Sequence, residues 1–408
     1  MRGINARLSA MMFLQFFIWG GWFVTLGTFL TTTLAASGGQ VGKAFSTQSW
    51  GAMFAPFVIG LIADKFFNAE RILAVLHLVG AALLYQLYRS PDFSTFYPFV
   101  LAYMIVYMPT LALVNAVAFR QMKNPALEFS RIRVWGTIGW IVAGVVISFG
   151  FAWDSQQAIT TGGLRNTFLM SAAASLILGV YSFTLPDTVP LRSSENTRGL
   201  RQLIGVDALG LLKDRGYLVF FIASILICIP LAFYYQNANP FLSEIGVENP
   251  TAKMAIGQVS EVLFMLLLPI FIQRFGIKLA LLIGMLAWAL RYFLFAYGNN
   301  GDQAFMLLTS IALHGVCYDF FFVSGQIYTD ARSSDRFRSS AQGLITLATY
   351  GLGMLIGFWV AGQVTDHFST GGNHDWRSIW LFPATFALAV FFLFWLSFQG
   401  RERPTVNR

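Results

Sequence analysis

Apolar residues run through the chain in long blocks separated by short polar breaks, and the blocks have the length that crosses a bilayer. About 20 apolar residues span roughly 30 Å of hydrocarbon. On that measure the pattern predicts twelve spans, over 8–34, 44–63, 71–88, 96–118, 131–152, 167–185, 217–238, 252–273, 278–297, 304–328, 339–363 and 378–398. The apolar run after the basic start Met1–Arg7 continues to Leu34 without a small-residue cleavage site. The first span is therefore expected to stay in the mature protein.

The longest polar interruption, from Pro186 to Gly216, follows the sixth span and divides the chain six plus six. This predicts an N-terminal six-helix bundle over 1–186, a cytoplasmic linker over 187–216 and a C-terminal six-helix bundle over 217–408. Within the linker, Leu200, Leu203, Ile204, Val206, Leu209, Leu211 and Leu212 alternate with Arg201, Gln202, Asp207, Lys213 and Asp214. That interleaving suits an amphipathic helix lying at the membrane surface. A sequence echo supports the division: Gly60-x-x-x-Asp64-Lys65-Phe66 joins spans two and three, and Pro269-x-x-x-Gln273-Arg274-Phe275-Gly276 joins spans eight and nine. Halves that repeat in parallel are a transporter signature, with the binding site expected between them near the midplane.

Composition closes off other classes. Hydrophobic residues make up 56% of the 408 and charged residues 11%, against about 25% charged in soluble domains. The net charge of +8 would suggest nucleic acid in a soluble protein, but its distribution points elsewhere. Of 27 Lys and Arg, Lys43, Arg89, Arg165, Lys253 and Arg377 fall on one side and Arg133 and Arg291 within spans; the rest fall on the other side with the N-terminus. The positive-inside rule makes that side cytoplasmic and, with an even span count, both termini with it. Cys228 and Cys317 both lie in apolar runs, so neither a disulfide framework nor a metal site is expected. Phosphate-binding Gly loops and H-E-x-x-H are missing. No cofactor, nucleic-acid partner or enzyme activity is expected.

The remaining chemistry lies in the few polar groups at bilayer depth. Of nineteen acidic residues only Glu261 and Asp319 fall deep in predicted spans, where a charge costs at least ~2.5–3.5 kcal/mol and marks a functional position by default. Gln258 and Glu261 share one helix face, and His314, Tyr318 and Phe322 recur every four residues with Asp319 at the edge of that stripe. In span five Arg133, Thr137 and Trp140 form a third one-sided stripe. Each has a plainer alternative. Arg133 suits an interfacial anchor, Trp140, Tyr318 and Phe322 suit packing, and His314 suits a satisfied interhelical donor. Arg291 reads best as the partner of a buried acceptor.

These residues resemble the nucleoside:proton symporters of the major facilitator superfamily. The resemblance is carried by Phe13-Leu14-Gln15-Phe16-Phe17-Ile18-Trp19-Gly20, Tyr107-Met108-Pro109-Thr110-Leu111, Ile132-Arg133-Val134-Trp135-Gly136-Thr137-Ile138-Gly139, Gln258-Val259-Ser260-Glu261, Arg291-Tyr292-Phe293-Leu294-Phe295-Ala296-Tyr297-Gly298, Tyr318-Asp319-Phe320 and Ala341-Gln342-Gly343. It implies an all-α membrane protein of twelve transmembrane helices in two six-helix bundles related by pseudo-two-fold symmetry. It also implies a nucleoside and a proton as cargo, carried inward by alternating access across a bacterial-type inner membrane. Arg133, Thr137, Gln258 and Glu261 would bind sugar or base, and Asp319, with Glu261 as its companion, would couple the proton.

The chain departs from that pattern in span seven, where an amide pair is replaced by Ala232 and Tyr235, and in span ten, where His314 stands for a tyrosine and Tyr318 for the site's aromatic. Tyr235, His314, Tyr318 and Trp140 therefore join the expected substrate-binding set. A sugar or sugar-containing metabolite is the alternative cargo, since aromatic faces and hydroxyl partners serve sugars equally well. A monomer is expected.

Overall fold

In hydrocarbon no water takes up backbone hydrogen bonds, so apolar stretches of this length close them internally as helices. The computed structural model describes residues 2–58, 68–122, 125–188, 206–333, 338–370 and 373–398. Among these, ten helices are long and apolar enough to cross a membrane: Ala69–Arg89, Phe93–Gln121, Arg131–Gly150, Gly163–Ser182, Arg215–Glu244, Pro250–Phe275, Ile277–Tyr297, Ala304–Arg332, Ser340–His367 and Trp376–Ser397. They coincide with predicted spans three to twelve. The first predicted span is broken: an α-helix over Arg2–Gly20 gives way to turns and resumes as Leu26–Thr32. Gly20 and Gly21 sit at the break, where glycine disfavours the helix. Gly21 lies so near the Asn166–Ser182 helix that a Cβ there would fall 2.6 Å from Ser171 Oγ. The second predicted span is a helix over Gly38–Val58, at the limit of the described residues.

Of the linker, Val206–Lys213 forms a tight 3₁₀ helix; the rest of the predicted amphipathic helix, and the Gly60–Phe66 half of the sequence echo, lie outside the described residues. Among the described residues three helices begin on an aspartate cap, Arg215–Glu244 on Asp214, which accepts the Tyr217 N–H at 2.8 Å, and two others. Asp92 accepts the Thr95 N–H at 2.8 Å and Asp375 accepts the Ser378 N–H at 3.2 Å. A two-residue antiparallel ladder pairs Ser369 with His374 and Thr370 with Asn373.

The chain folds as two compact units, Met1–Thr197 with Leu242–Ala255, and Arg198–Phe241 with Ile256–Arg408. In the first unit the Arg2–Gly20 helix packs on Pro125–Val145, and Ala69–Arg89 packs on both Asn166–Ser182 and Phe93–Gln121. Its core is aromatic, with Phe168 in contact with Trp22, Phe29 and Phe96. The segment after Phe241 joins this unit through Asp154, whose carboxylate accepts both the Ser148 hydroxyl at 2.6 Å and the Thr251 N–H at 3.1 Å.

In the second unit Ile277–Tyr297 packs on Trp376–Ser397, with Tyr292 and Phe295 stacked on Trp380. The Ile256–Phe275 helix shows how such a helix serves two environments. Val259, Leu263, Leu266 and Ile270 are exposed along one face, a stripe that suits lipid tails. The other face carries the polar groups described next.

Candidate functional site

Among the described residues the expected site residues lie in two places, one in each unit. In the second unit the cluster starts from a close helix approach. Ser260 Oγ accepts the Gly315 N–H at 2.9 Å and donates to the Ala312 carbonyl, where a Cβ on Gly315 would collide. This draws the Ile256–Phe275 helix onto His314–Tyr318 and sets Glu261 Oε2 3.7 Å from His314 Nε2. The imidazole is enclosed, with a side chain 3% exposed, while Glu261 is 22% exposed. The carboxylate therefore keeps an open side.

His314 is held on its other faces as well. Its Nδ1 faces Arg291 Nη1 at 3.1 Å, and its ring stacks on Tyr234 with centroids 5.4 Å apart. Arg291 is wholly buried, with its guanidinium 3.5 Å from the Tyr234 ring centroid. A cation over an aromatic face is attracted by the ring quadrupole, more strongly when desolvated. The rings of Trp288 and Phe295 lie at 5.3 and 5.9 Å, while Nε and Nη2 find no hydrogen-bond partner among the described residues.

The stripe His314, Tyr318, Phe322 exists as the spacing predicts, with ring centroids 5.9 and 5.3 Å apart along it. The helix carrying it is not uniform. It turns π-helical over Asp319–Val323, and Ser340–His367 does the same over Leu347–Gly353. Such insertions are frequent at functional positions because they re-aim side chains. The hydroxyl of Tyr318 meets that of Tyr350, which lies in the second of these turns. A Cβ on Gly284 would stand 2.8 Å from the Phe321 nitrogen, so only glycine lets the Ile277–Tyr297 helix back onto the first.

Asp319 opens that π-turn and is fully buried, and neither carboxylate oxygen has a hydrogen-bond partner among the described residues. An ionised carboxylate so enclosed bears the desolvation cost without compensation. Gln258 is half-buried on the helix of Glu261, and Tyr235 is half-buried beside Tyr234.

In the first unit Arg133 is half-buried with its guanidinium 4.1 Å above the Phe16 ring, and Thr137 follows it one turn on, also half-buried. Trp140 meets Trp19 edge-on at 5.5 Å, and Trp19 meets Tyr107 in the same manner at 5.8 Å. Behind this aromatic wall lies a buried network that the sequence analysis passed over. Gln15 Nε2 donates to Thr110 Oγ1 at 2.7 Å, and its Oε1 faces His77 Nε2 at 2.8 Å. His77 Nδ1 faces Ser175 Oγ at 3.1 Å, and the Tyr107 hydroxyl donates to the Gln15 carbonyl at 2.7 Å. An amide and an imidazole alone in apolar runs are the signal that pointed to it.

The structure thus brings Glu261, His314 and Arg291 together, joins Tyr318 to Tyr350 and places Asp319 in their span. It gathers Arg133, Thr137 and Trp140 on the Pro125–Val145 helix. The buried group that Arg291 faces is His314, one of the residues expected from the sequence to bind substrate. Gln15, His77, Tyr234 and Tyr350 are additions. Among the described residues no group of three or more His, Cys, Asp or Glu is placed to hold a metal.

The chain matches known proteins along nearly its whole length. The model of a family described as "Nucleoside H+ symporter" matches residues 2–403. The chain is 41% identical to the Escherichia coli protein named "Putative nucleoside transporter YegT", over 98% of this chain and 94% of that one. It is 34% identical to the xanthosine permease of Escherichia coli, over 98% and 97%. A crystal structure of a mutant of the nucleoside transporter NupG superposes with a TM-score of 0.90 at 31% identity, covering 97% of this chain and 100% of that one.

Proposed function

The chain belongs to the nucleoside H+ symporter family, and from that membership we propose which of its residues carry the cargo and which the proton. It is a multi-pass inner-membrane transporter, not an enzyme, that imports nucleosides with protons by alternating access. The finer architecture of our proposal is twelve helices in two six-helix bundles over 1–186 and 217–408, joined by the linker over 187–216. Both termini are cytoplasmic and the working unit is a monomer.

Asp319 is the proton-coupling carboxylate in this proposal. The observation that supports it is full burial with both oxygens unbonded among the described residues. In such surroundings the neutral acid is far cheaper than the anion, so the enclosed conformation carries the proton and a conformation that wets the group releases it. Glu261 stands differently. It is partly open and faces His314, which suits a carboxylate that grips cargo hydroxyls while remaining coupled to the same proton economy.

We assign the nucleoside to Arg133, Thr137 and Trp140 in the first unit and to Gln258, Glu261, His314, Tyr318 and Tyr235 in the second. Trp140 and Tyr318 offer aromatic faces for stacking, and the polar members offer both donors and acceptors. A thermal-shift panel of nucleosides, free bases and sugars on purified protein tests the assignment of cargo. Stabilisation by nucleosides alone supports it; stabilisation by sugars without a base would assign the site to the alternative cargo.

A further inference from the structure

We propose that Arg291 is a positioning residue that locks His314 as the neutral tautomer with its hydrogen on Nε2. The imidazole then turns its hydrogen to the side that faces Glu261 and is barred from carrying the transported proton. The inference deepens the nucleoside:proton reading and rests on it for its functional consequence, but the lock itself is a property of four side chains.

The argument is one of donors and acceptors. A guanidinium only donates, and Arg291 Nη1 lies 3.1 Å from His314 Nδ1. Nδ1 must therefore be the acceptor and carry no hydrogen. The ring's hydrogen is then on Nε2, the nitrogen that faces Glu261 Oε2 at 3.7 Å. A second proton on the ring would have to enter at Nδ1, where it would meet an N–H of a cation head-on. Tyr234, stacked on the imidazole and lying under the guanidinium, holds both in register.

The arrangement follows the carboxylate–histidine–metal triads in which the ring nitrogen distal to the metal donates to a carboxylate and fixes ring and tautomer. Here the guanidinium takes the place of the metal. The groups around the ring are Arg291 from Ile277–Tyr297, Glu261 from Ile256–Phe275, Tyr234 from Arg215–Glu244, and Cys317, Tyr318 and Asp319 on its own span. Among these only Arg291 faces Nδ1 at hydrogen-bond distance in the described structure.

Two consequences follow for transport. With its hydrogen fixed on Nε2, the ring presents a donor on the side that faces Glu261, so selectivity at this point is set by a donor that does not change with pH. His314, although it ordinarily titrates close to working pH, contributes nothing to the pH dependence of uptake.

Nitrogen-15 NMR of histidine-labelled protein in nanodiscs tests the lock directly. The chain has four histidines, and a His314→Gln sample identifies the signals to assign. The expected result is one protonated nitrogen, Nε2, and one bare, hydrogen-bonded nitrogen, Nδ1, unchanged between about pH 5 and 8. A hydrogen on Nδ1 anywhere in that range overturns the proposal.

Arg291→Met should let Nδ1 take up a proton in the acid half of the range, while Arg291→Lys, which restores a cationic donor, should suppress that uptake. In nucleoside transport Arg291→Met should raise KM at least tenfold and add an acid limb to the pH profile that the unaltered protein lacks. A methionine variant whose ring stays singly protonated down to pH 5 overturns the assignment to Arg291. A correct tautomer in a protein that moves no nucleoside would overturn the transport reading and leave the lock standing.

Discussion

His77 and Gln15 are joined ring nitrogen to amide oxygen at 2.8 Å, and this bond ties the Arg2–Gly20 helix to Ala69–Arg89 in the interior of the first unit. Thr110 continues the chain of bonds into Phe93–Gln121 and Ser175 into Asn166–Ser182. Four helices thus share one polar network, and Trp19, one turn after Gln15, stands between that network and Trp140.

His77→Ala should therefore cost more than an ordinary core truncation. It leaves Gln15 Oε1 without its buried donor, at about 1–3 kcal/mol, and opens a cavity besides. The expected loss is about 2–5 kcal/mol, read as a fall of several degrees in the thermal unfolding of purified protein. An unchanged midpoint would show that the network does not hold the four helices.

Glu261→Gln keeps shape and removes charge. Hydrogen bonds to charged groups contribute about 1.5–3 kcal/mol, so KM for nucleoside should rise about 10- to 100-fold with a much smaller change in maximal rate. Radiolabelled uptake over a range of substrate concentrations measures this. A fall in maximal rate at constant KM would move Glu261 from cargo binding to the proton step.

Tyr350→Phe leaves the Tyr318 hydroxyl without its partner and loosens the ring proposed to face the cargo. A neutral hydrogen bond contributes about 0.5–1.5 kcal/mol, so KM should rise about two- to tenfold while Phe322, packed on the other side of Tyr318, keeps the stripe assembled. Competition between nucleosides in the uptake assay reads the effect, and identical KM values in the variant would remove Tyr350 from the site.

Outside the spans, Asp92 caps the Phe93–Gln121 helix, and hydrogen bonds from Ser94 and Thr95 hold its carboxyl below the usual aspartate range. A depressed carboxyl contributes stability that is present above its unfolded value and disappears as pH falls through the lower folded one. The stability difference between the natural protein and Asp92→Ala should thus be constant near neutrality and shrink below about pH 4. Unfolding midpoints measured at a series of pH values check the direction. A gap that widens in acid contradicts the cap.

Helix placement was legible because bilayer thickness sets one length for every span, and ten of the expected spans are found among the described residues. The break at Gly20 and Gly21 was not expected, since apolar length is blind to where a helix stops and restarts. Glu261 and Asp319 were legible because charge at depth is rare. The spacing of His314, Tyr318 and Phe322 survived the π-turn that begins at Asp319, which no periodicity announces. Partners were the illegible part. That Arg291 reaches His314 from 23 residues away, and Gln15 reaches His77 from 62, depends on which helices pack together. Polar residues far apart in sequence carry no mark of being neighbours.

The proton step is tested most directly by recording external pH in a lightly buffered suspension of cells or proteoliposomes as labelled nucleoside is added, with the natural protein and with Asp319→Asn. The natural protein should accumulate nucleoside, alkalinise the medium as it does so, and lose both on addition of a protonophore. Asp319→Asn should let nucleoside equilibrate without accumulation and without a pH change. Accumulation by Asp319→Asn that still collapses with a protonophore would contradict the assignment of proton coupling to Asp319.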